Sequence, residues 1–322
     1  MATPDITAGA SSGDYAIAQR PARKLDLIKH RNWFFGFSLL IIIPGIVSMV
    51  TRGFLLGIDF QGGTEFFLHF QNQPTLAQVE AVAGTGVTVE QTGQGDFVIR
   101  TQPLQPTQYQ AYENQLAEKL GTSIDAKSSQ VNEVGPTIAS EIVTNALLAI
   151  FLAAMLILFY LTFRFRRVPG GWKAGFQFGG SALLALLHDV FLLCGVFSIL
   201  GAVLHIRLGE IDSFFLTAVL TVVGFSVHDT IVVFDRIREN LIVSQRLSFE
   251  QVANLSIMQT AARSIITSFT VVIVLLSLLL FGGDTLKGFA LALLVGIVSG
   301  TYSSIFNATP LLAVWRRLQP VR

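Results

Sequence analysis

The 322-residue chain is 52% hydrophobic, only 13% charged, and carries a net charge of +1. A composition this apolar excludes an ordinary soluble protein, and the near-neutral balance excludes a nucleic-acid binder, which would need a basic stripe. Its one cysteine, Cys194, lies inside an apolar run, which excludes a disulfide framework or a thiolate metal site.

Residues 1–31 form a polar tail with Arg20, Arg23, Lys24, Lys29 and Arg31 at its end and no apolar core of a signal peptide. The first apolar run, residues 32–52, is long enough to cross a hydrocarbon layer of ~30 Å. Pro44-Gly45 falls inside it, where a membrane helix tolerates a kink.

Residues 53–140 have ordinary globular composition. Thr64–Phe70 alternates as a strand should, with Phe66, Leu68 and Phe70 on one face. Thr75-Leu76-Ala77-Gln78 is a capping box that opens a helix closed by Gly84. Val87–Gln91 and Phe97–Thr101 read as strands around a turn at Gly93-Gln94-Gly95-Asp96. The Pro106–Gln110 segment repeats the cap, Gly121 the stop, and a last strand is expected within Ser123–Val131. The order β-α-β-β-α-β predicts a small ferredoxin-like α+β domain between spans one and two.

Residues 141–315 hold five further spans: Ile142–Phe163, Phe176–Leu204, Ser213–Phe234, Ser264–Gly283 and Gly288–Trp315. A loop at 235–263 and a tail at 316–322 complete the division. The fold class is thus a polytopic α-helical membrane protein with six transmembrane helices. With six spans, sixteen of the 22 Lys and Arg fall on one side. The positive-inside bias then puts both termini in the cytoplasm and the 53–140 domain outside. Within the 235–263 loop, Ser248-Phe249-Glu250-Gln251 caps a short amphipathic helix. It reads as lying on the membrane surface, or as docking a partner.

The chemistry-bearing residues lie inside the spans. A lone carboxylate there costs about 2.5–3.5 kcal/mol on insertion scales, so Asp229 in the fourth span demands a partner or a task. Arg263, at the start of the fifth span, is the nearest cation by topology. Together they could form a proton relay or a permanent structural ion pair. His188-Asp189 in the third span echoes His228-Asp229, and Asp189 is a plausible second carboxylate. For His188 and His228 a helix-to-helix hydrogen bond is the expectation. Phe281-Gly282-Gly283-Asp284 reads as a turn rather than an aspartyl protease motif. No Walker loop, His-Glu-x-x-His or Gly-x-Ser-x-Gly is present, so the chain is not expected to be an enzyme or to need a cofactor or metal. Between the first span and the domain, Gly57, Asp59, Gly62 and Gly63 mark a rigid elbow.

The stretch Gly57-Ile58-Asp59-Phe60-Gln61-Gly62-Gly63-Thr64-Glu65 resembles the entry signature of the SecD/SecF translocase subunits. Val134-Gly135-Pro136, Leu187-His188-Asp189-Val190 and the long fourth-span run Val223–Asn240 are similar to further motifs of that family, with His228 where Asn often precedes the Asp. The small domain fits SecF better than SecD. The resemblance implies pairing with SecD in a twelve-span bundle of the resistance-nodulation-division type in the bacterial inner membrane. It also implies association with the SecYEG channel, action on a translocating preprotein, and drive by the proton motive force, with protons as the coupling ion. Asp229 and Arg263 fall on that family's proton-path carboxylate and its basic partner, and Asp189 and His228 beside them. The alternatives are a small-molecule or lipid exporter on the same scaffold, and a subunit that stabilises the channel without transducing.

Overall fold

The computed structural model describes residues 26–320 except 93–94, 126–127 and 245. The amino-terminal tail up to residue 25 and part of the Gly93–Asp96 turn lie outside the described residues.

Six helices are long and apolar enough to cross a membrane: Arg31–Thr51, Pro136–Phe165, Gly171–Val203, Ser213–Val243, Phe249–Phe281 and Thr285–Leu318. The fourth and sixth are about half covered by the rest of the chain (50% and 56%), whereas the second and fifth are mostly outward-facing (11% and 17%). The fourth and sixth therefore form the centre of the bundle. Small residues permit this. A Cβ on Gly296 would stand 2.1 Å from Val222, and one on Gly300 3.0 Å from Ser226, so the Gly296-x-x-x-Gly300 face seats the fourth span at close range. Gly45 and Gly195 bring the first and third spans together in the same way.

Two spans carry a π-helical turn, Ile199–Val203 at the end of the third and Ser304–Ala308 within the sixth. Phe165, Phe178 and Phe234 pack ring on ring between the second, third and fourth spans. At that end the fourth span leaves the bundle through half-exposed ion pairs, Arg164–Asp235 at 3.2 Å and Arg236–Glu239 at 2.9 Å.

The helix expected to lie flat on the membrane after Ser248 does not exist as a separate element. Phe249–Phe281 is one 33-residue helix, because no Gly or Pro interrupts it anywhere. The capping box at its start is real, with Gln251 N–H donating to Ser248 Oγ and Ser248 N–H to Gln251 Oε1. The fourth span likewise runs on to Val243, so the 235–263 segment is mostly helix. The turn between the fifth and sixth spans is Gly282-Gly283, with helix resuming at Asp284.

Between the first and second spans sits a four-stranded antiparallel sheet, β1 (Gly63–Leu68), β2 (Thr88–Gln91), β3 (Phe97–Thr101) and β4 (Gln130–Val134), in the order β2-β3-β1-β4. Helices Leu76–Ala83 and Pro106–Leu120 follow β1 and β3. Phe66, Leu68, Phe70, Phe97, Ile99 and Leu116 close the core between sheet and helices. The last strand starts at Gln130, later than expected, where it pairs with β1. The second cap is built by Gln105 and Gln108, not by Thr107, because Pro106 takes the first helical position.

Candidate functional site

Among the described residues, Asp189 is the most completely bonded carboxylate in the bundle. It is 1% exposed, and four donors from three spans converge on it. Ser226 of the fourth span and Ser303 of the sixth donate to Oδ2 at 2.7 and 2.6 Å. Ser299 of the sixth donates to Oδ1 at 2.7 Å, and Nδ1 of His188 lies 3.0 Å from the same oxygen. Both oxygens of Asp189 are thus engaged by side chains of three spans. Ser299 and Ser303, four residues apart, present both hydroxyls from one face of the sixth span.

From this cluster a line of hydroxyls continues along the fourth and sixth spans. Thr230 Oγ1 and Ser304 Oγ are 2.9 Å apart, and each also bonds the backbone carbonyl of Ser226. Asp229, next to Thr230 and one helical turn beyond Ser226, is 5% exposed. Unlike Asp189 it is not saturated: its Oδ2 has no hydrogen-bond partner among the described residues. The buried hydroxyl of Ser264 on the fifth span stands beside it.

Arg263 lies within electrostatic reach of Asp229 but forms no ion pair with it among the described residues. The buried stripe of the fifth span runs through Thr260, Ser264 and Ser268, at intervals of four. Arg263 is one position off that stripe, and its side chain is exposed. His228 is also exposed, on the outward face of its span, and forms no helix-to-helix bond among the described residues. His188 bonds its own neighbour rather than another helix, and its ring stacks on Tyr302 of the sixth span at 6.4 Å. The Tyr302 hydroxyl donates to the Phe34 carbonyl at 3.0 Å, and Ser38 and Asn307 bond each other beside it, which ties the first span in. Sequence reading missed Ser226, Ser299, Ser303, Ser304 and Thr230. The available signal was the polar run Ser299-Gly300-Thr301-Tyr302-Ser303-Ser304 inside an apolar span.

The elbow fastens onto the start of the fourth span. Gly57 N–H donates to the Ile211 carbonyl at 2.9 Å, and Ile211 N–H to Leu55 at 2.8 Å. Asp59 Oδ2 accepts from Ser213 N–H at 2.8 Å, while Asp212 caps the same helix through Phe215 N–H. Gly62 (φ +75°) packs on Pro136 and Gly63 (φ +141°) on the Thr101 carbonyl, and a Cβ at either would be strained and crowded.

Beside it, Arg100 of β3 joins Glu65 of β1 at 2.8 Å and Glu210 of the loop between the third and fourth spans at 2.6 Å. Arg207 reaches Glu90 of β2 at 3.4 Å. Burial works against the Arg100 charge, but the carboxylates of Glu210, Glu65 and Glu90 outweigh it and push its pKa up. Burial raises Glu210 above the usual carboxylate range despite Arg100 and Arg207. This cluster borders a cavity of about 840 Å³ between the sheet and the spans, which Asp59, Asp212 and Lys287 also line. Among the described residues, no group of three or more His, Cys, Asp or Glu is placed to hold a metal.

A six-helix bundle with a bonded carboxylate at its centre, clasped by a small sheet domain, defines a polytopic membrane protein of the transport class. Comparison with known proteins makes this particular. Residues 114–318 match the model of the protein export membrane protein SecD/SecF, C-terminal family, and residues 47–73 match the SecD/SecF GG motif. The chain is 44% identical over 309 residues to the protein translocase subunit SecF of Thermobaculum terrenum, covering 90% of this chain and 94% of that one. It is 39% identical over 298 residues to that of Anaerolinea thermophila, with the same coverage. The crystal structure of SecDF, a translocon-associated membrane protein from Thermus thermophilus, superposes with a TM-score of 0.77 at 31% identity over 92% of this chain. This chain spans 39% of that longer one. The chain belongs to the SecD/SecF family, on its SecF side.

Proposed function

We propose that this subunit works with SecD to draw on the proton motive force and promote a late stage of preprotein translocation through the SecYEG channel. Membership of the family carries the coarse role, a Sec protein-translocation subunit. The observation that supports proton coupling is the pair of buried carboxylates on neighbouring spans, one saturated with donors and the other not. In this reading Asp189 is fixed by its hydrogen bonds, and Asp229, whose Oδ2 has no hydrogen-bond partner among the described residues, takes up and releases a proton. Change of charge there alters the fit of the fourth span against the fifth and sixth. Because Asp59 and Gly57 clasp the start of the fourth span, its movement reaches the sheet domain directly. Moving one charge through the membrane field supplies about 2.3 kcal/mol per 100 mV, enough to bias a two-state element.

In this reading both termini are cytoplasmic, the membrane is the bacterial inner membrane, and the sheet domain faces outward to the emerging preprotein. The element and strand order of that domain support a ferredoxin-like fold. Arg263, exposed here, would approach Asp229 in a second conformation or in the assembly with SecD. The test is proton-dependent export in vesicles with Asp229→Asn. Partner binding with lost proton dependence supports the reading, and unchanged coupling ends it.

A further inference from the structure

We propose that the end of the bundle where the second, third and sixth spans meet binds the phosphate headgroup of an anionic phospholipid, with Arg166 as its anchor.

The sequence separates charge at this end. Residues 142–188 contain no Asp or Glu, and neither do residues 285–322. Arg166, Arg167 and Lys173 fall in the first segment, and Arg316 and Arg317 in the second. The structure brings the two segments together. Arg316 Nη2 donates to the Pro169 carbonyl at 2.6 Å, and the Trp315 ring meets Phe176 edge-on at 5.9 Å. The carboxylates Asp235, Glu239 and Glu250 at the same end are engaged elsewhere, by Arg164 and Arg238, by Arg236, and by Arg31. None of the cations on the two touching segments from Arg166 onward forms an ion pair among the described residues.

Arg166 is the member placed to take a phosphate. Its Cζ lies 4.2 Å from the centre of the Phe163 ring and 5.2 Å from that of Trp172, and the two rings meet at 6.3 Å. The rings hold the guanidinium by its face, and its N–H donors have no acceptor among the described residues. A planar fork of donors held in this way suits the bidentate geometry of a phosphate.

The surroundings select a lipid. Phe163, Trp172 and Phe176 are exposed, and exposed aromatic rings at the ends of apolar spans mark the headgroup layer. Leu156, Phe159, Tyr160 and Phe163 are also exposed, and their spacing puts them on one face of the second span, leading away from Arg166. The site thus joins a phosphate-seeking cation to an apolar stripe along which acyl chains can run. A soluble anion would leave that stripe uncovered.

The test is native mass spectrometry of the full chain released from detergent micelles, with phosphatidylglycerol, phosphatidylcholine or inorganic phosphate added. Wild type is compared with Arg166→Gln and with Arg236→Gln, which removes the same charge at the same end from a residue already paired with Glu239. The expected result is phosphatidylglycerol retained in preference to phosphatidylcholine, and no phosphate adduct. Arg166→Gln should weaken that binding about fivefold, the worth of one cation at a lipid surface, and Arg236→Gln should leave it unchanged. Equal retention of the two lipids, equal weakening by the two substitutions, or a phosphate adduct that Arg166→Gln removes overturns the proposal. So does binding that Arg166→Gln leaves intact, the outcome expected if the patch serves an acidic protein segment instead. If Arg166→Gln fails to fold, photo-crosslinking of the wild-type chain with diazirine-labelled phosphatidylglycerol decides. Adducts on residues 156–172 that unlabelled phosphatidylglycerol suppresses and phosphatidylcholine does not would support the site. Adducts absent there, or suppressed equally by both lipids, overturn it.

Discussion

Asp59 Oδ2 accepts the backbone N–H of Ser213 at 2.8 Å, so a residue of the glycine-rich elbow caps the helix that carries Asp229. The two are 154 positions apart in sequence. The elbow is therefore a clasp between the first span, the sheet domain and the fourth span, and the negative charge suits the positive end of the helix it holds.

Asp59→Ala should cost about 0.5–2 kcal/mol, the usual value of a lost helix cap. It should also raise amide exchange at Ser213, measured by hydrogen exchange with mass spectrometry. Unchanged protection at Ser213 would mean that Asp212 alone suffices as the cap.

Arg100→Gln removes the cation that Glu65 and Glu210 share. Because both carboxylates are largely buried, the loss should reach about 3–5 kcal/mol, far above a surface pair. Thermal unfolding in micelles, and proteolysis between the sheet domain and the spans, would report it.

The same cluster makes a pH prediction. The pKa of Glu210 is raised in the folded chain above its ordinary 4.5, chiefly by burial. The folded state therefore binds the proton more tightly than the unfolded chain. Its stabilising contribution is present at low pH and is lost as pH rises above 4.5 through the folded value. Comparing melting temperature against pH for wild type and Glu210→Gln should show that part of the slope removed by the substitution.

Gly296→Ala adds a Cβ 2.1 Å from Val222 Cγ2, at the contact of the two central spans. Overpacking should destabilise by about 1–3 kcal/mol. Gly224→Ala, where nothing stands within 4 Å, is the control and should be nearly silent in the same melting assay.

The six spans were legible because each is a long apolar run, and the strand and helix order of the sheet domain because alternation and caps are local signals. The fifth span was read as starting at Ser264, since its first fifteen residues are polar enough to look like a loop. Only the lack of a helix breaker between Phe249 and Phe281 says otherwise. The site was legible in its carboxylates and not in their partners. Ser226, Ser299 and Ser303 meet Asp189 from 37, 110 and 114 positions away, and a serine inside a span carries no mark of which carboxylate it will face. Topology alone places Arg263 near Asp229, and the structure has it within electrostatic reach. The two form no ion pair among the described residues, because the fifth span turns Thr260, Ser264 and Ser268 inward and Arg263 out.

The central claim is that proton uptake at Asp229 drives the fourth span. The direct measurement is proton flux into vesicles holding this chain with SecD, compared between wild type and Asp229→Asn after partner binding is verified. The account predicts that the variant assembles with SecD and conducts no protons. Flux and export equal to wild type in that assembled variant would contradict it.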